Sequence, residues 1–284
     1  LEGGEGSDTL NGGAGDDILI AGDGGADTVD GGAGFDELTL RRGGATEGFT
    51  FALDASSGGG GFTLSDGTDV SNIEQLDFFS GSGDDEARFT IFSGSGMYGF
   101  AGAEGDDHGI ADFTGMSGNI STGGGVNGFG SNVSFLIVND DAPHDGVTFG
   151  DTERLTVFGG SGDDVLGGRS GRTYHLEGNN GNDRLIGAGF DDLLVGGEGN
   201  DTLEGGEGSD TLNGGAGDDM MIGGIGRDTF VHEVGHDTIS DFNPLDGTLI
   251  VQIDGLTQGD VETAVAAASD TVEGALVDFG GSSV

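Results

Sequence analysis

The chain repeats a nine-residue unit, Gly-Gly-x-Gly-x-Asp-x-apolar-x, and its cleanest run is unbroken from Gly196 to Val231. Gly196-Gly197-Glu198-Gly199-Asn200-Asp201-Thr202-Leu203-Glu204 is followed by units starting at Gly205, Gly214 and Gly223, each with Asp in sixth place and an apolar residue in eighth. A short fixed period builds stacked turns rather than a globule around one centre, and this nonapeptide predicts a parallel β-roll.

Each place in the unit has a physical task. Glycine at places one, two and four lets the backbone take positive φ and leaves carbonyls free to point inward, and the sixth-place Asp adds a carboxylate to the same concavity. The last three residues form a very short strand with one side chain turned inward, here Leu203, Leu212, Met221 or Phe230. Two units make one coil of about eighteen residues, so a cation lodged between stacked turns is shared by Asp residues one coil apart. Calcium is the expected ion, because carboxylate and carbonyl oxygens suit it and no Cys or clustered His competes.

Composition agrees. With 66 Gly among 284 residues and a net charge of −44, the chain carries a large ordering entropy and strong self-repulsion, so without cations it is expected to be disordered. All 8 basic residues are Arg, which leaves no basic patch for nucleic acid or acidic lipid. The absence of Cys removes disulfides and leaves metal as the stabiliser of weak coils. No apolar run approaches membrane-spanning length, so membrane insertion is not expected, and no N-terminal stretch reads as a signal peptide. Leu1-Glu2 fit places eight and nine of a preceding unit and no initiator Met is present, so the chain reads as a segment of a larger protein.

Units starting at Gly3, Gly12, Ala21 (stretched by one residue) and Gly31 bring sixth-place Asp8, Asp17, Asp27 and Asp36, and predict a first roll over residues 1–39. The pattern lapses over 40–158 and resumes over 159–240 with Asp164, a defective unit at Gly168 in which Thr173 replaces Asp, then Asp183, Asp192, Asp201, Asp210, Asp219, Asp228 and Asp237. Residues 1–17 and 203–219 are identical, which points to internal duplication. Within the lapse, 66–85 and 145–164 align at a constant offset, sharing Glu74/Glu153, Leu76/Leu155 and Phe79/Phe158, and each is preceded by a β-like run, Phe49–Leu53 or Val133–Val138. Enlarged solenoid coils are expected there, with Asp85 ending the first in a Gly-x-Gly-x-Asp turn. Residues 241–284 are expected to cap the roll, with a strand over Thr248–Ile253, a short helix over Asp260–Ser269 and a last strand over Leu276–Phe279. The fold class is thus all-β, a parallel β-roll or β-helix solenoid with enlarged middle coils and a C-terminal cap.

The repeats resemble the RTX (repeats-in-toxin) family of secreted bacterial proteins. The stretch Asp237–Pro244 resembles the segment that closes RTX rolls, and Ser71–Leu76 resembles coils of large RTX surface proteins. The resemblance implies calcium held by second- and fourth-place carbonyls plus Asp of one turn, and by first- and third-place carbonyls plus Asp of the turn two units on. Gly197, Gly199 and Asp201 would then face Gly214, Ala216 and Asp219, and Gly206, Gly208 and Asp210 would face Gly223, Ile225 and Asp228. The same places nominate Gly4, Gly6, Gly13, Gly15 and Gly31 in the first roll. In the second they nominate Gly160, Gly162, Gly178, Gly181, Gly196, Gly215 and Gly217. Type I secretion of an unfolded chain that folds outside the cell, at an extracellular or cell-surface location, is also implied. Phe190 in a fourth place and Thr173 in a sixth depart from the pattern.

Other chemistry is weighed against the roll register. His232-Glu233-Val234-Gly235-His236 fits His-Glu-x-x-His, which binds zinc on a helix, yet these residues occupy places one to five of a nonapeptide. Glu74 and Glu153 could pair as catalytic carboxylates, but matched positions in tandem coils read as ladder residues, and no catalytic residue is assigned. Asp106-Asp107-His108 and Asp140-Asp141 with His144 read as solvated loops or extra cation ligands, and the Phe-rich stretches as core. The reading is a calcium-binding structural module holding roughly eight ions. A glycan-binding adhesive module and a non-catalytic part of a polysaccharide-active β-helix are the competing readings.

Overall fold

The computed structural model describes residues 1–54, 60–91, 96–123, 133–138, 145–168, 171–242 and 248–251, and among them every regular element is a strand. The chain divides into two compact units, Leu1–Ser161 and Gly162–Val284.

The second unit follows the nonapeptide directly. Strands Thr173–Asn180, Leu193–Glu198, Thr211–Ala216, Thr229–His232 and Thr248–Val251 pair in parallel along one ladder. Strands Val165–Gly167, Arg184–Gly189, Thr202–Glu207, Met220–Ile225 and Thr238–Ile239 pair in parallel along another. The chain changes ladder every nine residues, so Leu194 pairs with Leu212 and Leu212 with Phe230, while Leu185 pairs with Leu203 and Leu203 with Met221. Those eighth-place side chains are buried, and together with first-place glycines and sixth-place Asp they make most of the interior among the described residues. Such a core is thin, because each turn contributes one apolar side chain.

The first unit begins the same way. Thr9–Ala14, Thr28–Ala33 and Asp69–Ile73 pair in parallel, as do Ile18–Ala21, Glu37–Arg41, Gln75–Phe79, Met97–Ala101 and Asp145–Gly150. The enlarged coils add a third parallel ladder, Thr50–Asp54, Glu86–Thr90, His108–Asp112 and Arg154–Phe158. The extra length is taken up by antiparallel excursions that an all-parallel roll does not contain. Gly60–Thr63 runs antiparallel to Thr50–Asp54 and Asp69–Ile73, and Val133–Val138 runs antiparallel to Ile120–Gly123 and Asp145–Gly150. The wider coils hold a larger core: Phe51 meets Phe78 at 5.3 Å and Phe89 at 5.5 Å, and Phe89 meets Phe149 at 5.7 Å between ring centroids. Phe78 and Phe89 are core residues, as the sequence suggests.

At the far end, Phe242 packs edge-on against Phe230, and Asp241 accepts hydrogen bonds from the amides of Gly223 and Gly224 at 2.9 and 2.7 Å. The expected cap strand is present as Thr248–Val251, paired with Thr229–His232. The expected helix Asp260–Ser269 and strand Leu276–Phe279 lie outside the described residues.

Candidate metal centre

Sixth-place carboxylates are wired from coil to coil. The amide of Asp164 donates to Asp183 Oδ1 at 2.7 Å, Asp183 to Asp201 at 2.7 Å, Asp201 to Asp219 at 2.8 Å and Asp219 to Asp237 at 3.1 Å. On the other edge Asp192 donates to Asp210 at 2.9 Å and Asp210 to Asp228 at 3.0 Å. In the first unit Asp8 donates to Asp27 and Asp17 to Asp36, both at 2.9 Å. One carboxylate oxygen per turn is therefore committed to holding the stack.

The other oxygen is buried and has no hydrogen-bond partner in Asp8, Asp17, Asp36, Asp183, Asp192, Asp201, Asp210 and Asp219. It lies over the first-place glycine of its own turn, where the first-place carbonyl of the next coil also arrives. A Cβ on Gly205 would sit 2.6 Å from the Gly223 oxygen, and one on Gly178 2.7 Å from the Gly196 oxygen, with Asp210 Oδ2 and Asp183 Oδ2 closer still. Gly196 and Gly31 are crowded in the same way by Asp201 with Gly214, and by Asp36 with Asn72. Second- and fourth-place carbonyls point up the stack: Gly197 O abuts Gly215 and Gly199 O abuts Gly217, at φ of 118° for Gly197 and 137° for Gly199 that a side chain would resist. Gly162 O abuts Gly181, and Gly206 O and Gly208 O abut Gly224 and Gly226. Third-place carbonyls face back, Ala216 O accepting the Gly199 amide at 2.9 Å and Ile225 O the Gly208 amide at 2.8 Å. In the first roll Gly4, Gly6, Gly13 and Gly15 take φ of 94°, 105°, 100° and 106°. Gly160 belongs to the first unit, against the Met116 carbonyl.

Burying anions without counter-charge raises their pKa. Burial, reinforced by the neighbouring carboxylates of the stack, pushes Asp183 and Asp192 up to about 7 and Asp201 and Asp210 up to about 6, and it also raises Asp219 and Asp228. Unpartnered carboxylate oxygens beside backbone carbonyls form a hard, all-oxygen donor set, which fits a calcium ion and suits neither zinc nor copper.

Several turns depart from the pattern. Thr173 does not hold the sixth place: Tyr174 does, its amide donating to Asp192 Oδ1 at 2.7 Å and its ring lying over Gly168 where other turns carry a carboxylate. The unit starting at Gly168 is longer than the nonapeptide by one residue, and Leu176 pairs with Leu194 accordingly. Ala188 and Phe190 sit at φ of 102° and 74°, so the turn keeps its shape at a cost in backbone strain. Asp27 and Asp237 have their second oxygens engaged, by Arg42 at 2.9 Å and by His232.

The enlarged coils continue the ladder. Phe49 donates to Asp85 Oδ1 at 2.6 Å, Asp85 to Asp107 Oδ1 at 2.9 Å and Asp107 to Glu153 Oε2 at 2.9 Å, while Asp36 donates to Glu74 Oε2 at 2.9 Å. Asp85 Oδ2 and Asp107 Oδ2 are buried without a partner, and burial pushes Asp107 up to about 6. Glu74 and Glu153 are thus ladder members occupied with backbone amides. Asp107 joins this ladder, where the sequence reading places it among solvated loops or extra cation ligands. The signal was Gly102-Ala103-Glu104-Gly105-Asp106-Asp107, which fits the first six places of the unit; Gly109 then replaces the apolar eighth residue, and the Phe149 ring fills its space. Asp106 pairs with Arg154 at 3.0 Å and His108 with Thr156 at 2.9 Å, while Asp140, Asp141 and His144 lie outside the described residues.

His232 ends a strand, Val234 bridges to Ala216 and Gly235 takes φ of 128°, so His-Glu-x-x-His is not helical. His232 contacts Asp237, whereas His236 is 94% exposed and contacts Asp218 at 3.3 Å. Among the described residues no three His, Cys, Asp or Glu side chains gather into a metal site, so any cation here depends on backbone carbonyls.

The family model of the RTX calcium-binding nonapeptide repeat matches the chain in four copies, over residues 2–38, 156–173, 177–212 and 204–239. No curated protein matches it.

Proposed function

The chain belongs to the RTX calcium-binding repeat proteins, and on that premise we propose that it is a non-catalytic module that calcium assembles into a rigid β-roll after secretion, as part of a larger extracellular or cell-surface protein. The observation that carries this reading is the row of buried Asp oxygens without partners, with a first-place carbonyl of the next coil beside those of Asp17, Asp183, Asp192, Asp201 and Asp210. Calcium between the turns would satisfy them. The ligands of one such ion are Gly197 O, Gly199 O and Asp201 with Gly214 O, Ala216 O and Asp219, and the same set recurs along both edges of the roll. Asp85 and Asp107 extend it into the enlarged coils.

The energetics support a folding switch. At about tenfold excess over a dissociation constant of roughly 10⁻⁴ to 10⁻³ M, each ion adds about 1.4 kcal/mol, and roughly eight ions add about 11 kcal/mol, the whole stability of an ordinary domain. At cytosolic calcium that stabilisation vanishes, and a chain of net charge −44 stays extended and exportable.

Circular dichroism during a calcium titration tests this. Metal-free chain is expected to lack β signal and to gain it cooperatively between sub-millimolar and millimolar calcium, while magnesium, which demands a small octahedral shell, fails to replace it. A chain fully folded in chelator would overturn the reading.

A further inference from the structure

Arg42 lies just past the strand Glu37–Arg41, its amide donating to Phe79 O at 2.8 Å and its carbonyl accepting from Ala45 at 2.9 Å, and this backbone anchoring turns the side chain inward. The side chain is 3% exposed. All five N–H donors of its guanidinium are used. Nε donates to Asp66 Oδ2 at 2.9 Å, Nη1 to Gly22 O and to Arg41 O, and Nη2 to Asp27 Oδ2 at 2.9 Å and Thr68 Oγ1 at 2.8 Å.

One of these acceptors is the carboxylate oxygen that other turns leave without a partner, and another is a second-place carbonyl. Asp27 is a sixth-place Asp whose Oδ1 takes the Asp8 amide as the ladder requires, but its Oδ2 faces the guanidinium instead of being unpartnered. Gly22 holds second place, packed on Gly4 O as Gly32 is packed on Gly13 O, and its carbonyl points at Nη1. The coil that follows has changed in step. Where the Asp36 amide meets the carboxylate of Glu74, the Asp27 amide meets the hydroxyl of Thr68 at 3.1 Å, so the ladder carboxylate is replaced by a hydroxyl, and the second carboxylate, Asp66, goes to the guanidinium.

We propose that Arg42 occupies the cation position of the Asp27 turn, so that this seam of the first unit is closed by the chain's own guanidinium and takes no metal ion. A calcium ion and the guanidinium need the same oxygens, hence they exclude one another. Removing the guanidinium leaves Asp27, Asp66 and the Gly22 carbonyl as an oxygen set open to a divalent cation. The inference rests on the calcium reading of the other turns, and its test separates the two.

Calcium bound per chain is measured at saturating calcium for the full chain and for Asp27→Asn, Arg42→Gln and Asp201→Asn. Asp27→Asn is expected to bind as many ions as the wild type, Arg42→Gln one more, and Asp201→Asn fewer. Loss of an ion in Asp27→Asn, or no added ion in a folded Arg42→Gln, overturns the inference while the calcium reading stands. If Arg42→Gln does not fold, Asp27→Asn alone decides, since Asn keeps the side-chain oxygen and changes only the charge. A wild type that binds no calcium overturns both.

Discussion

Asp107 Oδ1 accepts the amide of Asp85 at 2.9 Å, the same relation that Asp219 holds to Asp201 at 2.8 Å, although residues 85–107 lie outside every matched repeat. Both members of the pair are buried, and each keeps an oxygen without a partner. On the proposed reading, the enlarged coils would use the same cation chemistry as the rolls. Asp107→Asn is expected to raise the calcium concentration at the folding midpoint and to cost about 1–3 kcal/mol, the scale of losing a charged partner in a buried polar site. Calcium-dependent tryptic protection of the first unit is the readout, and unchanged protection would show that Asp107 holds no cation.

What the sequence shows and what it hides differ by residue. The nine-residue period places Leu203, Leu212, Met221 and Phe230 inward and sets the eighteen-residue coil, because period and burial are the same physical fact in a solenoid. Asp107 escapes the pattern because its apolar eighth residue is supplied from elsewhere in the fold, by Phe149 over Gly109. Tyr174 escapes because one inserted residue shifts the register, and only the pairing of Leu176 with Leu194 reveals the shift. Strand direction in Gly60–Thr63 and Val133–Val138 is invisible, since alternation marks a strand without naming its partner.

Zinc chemistry at His232 and His236 is expected to be absent, since the two side chains go to different acceptors, Asp237 and Asp218. Glu233 accepts from Asn213 Nδ2 at 3.0 Å, and Gln can keep that bond. Glu233→Gln should therefore change stability by less than about 0.5 kcal/mol. Stoichiometric zinc in elemental analysis, or peptide cleavage that depends on Glu233, would contradict the register.

Acid should partly replace calcium. Burial raises Asp183 and Asp192 to about 7 and Asp201 and Asp210 to about 6 in the fold, so the folded chain binds protons more tightly than the unfolded one. For groups shifted in this direction the stabilisation is complete below the unfolded carboxylate pKa near 4 and is lost as pH rises through about 6 to 7. Calcium-free chain is accordingly expected to gain β signal on acidification from pH 8 to pH 4. Protons also compete for the same oxygens, so the calcium midpoint should rise as pH falls through that window. A calcium midpoint independent of pH between 5 and 8 would mean that these carboxylates are not the ligands.

The sixth-place assignment is tested most sharply within the second unit. Asp201 bonds up to Asp219 and down to Asp183, so Asp201→Asn removes a charge from two neighbouring seams while nearly keeping the shape, with an expected cost of about 1–3 kcal/mol and a rightward shift of the calcium transition. Thr173 offers the control. Its turn carries the Tyr174 ring where a carboxylate would sit, and Thr173 itself stands one place before the ladder. Thr173→Ala should leave the calcium midpoint in place, because no ligand is lost and no charge changes. Equal shifts for the two substitutions in parallel calcium titrations would show that position in the nonapeptide does not determine which side chain holds the ion.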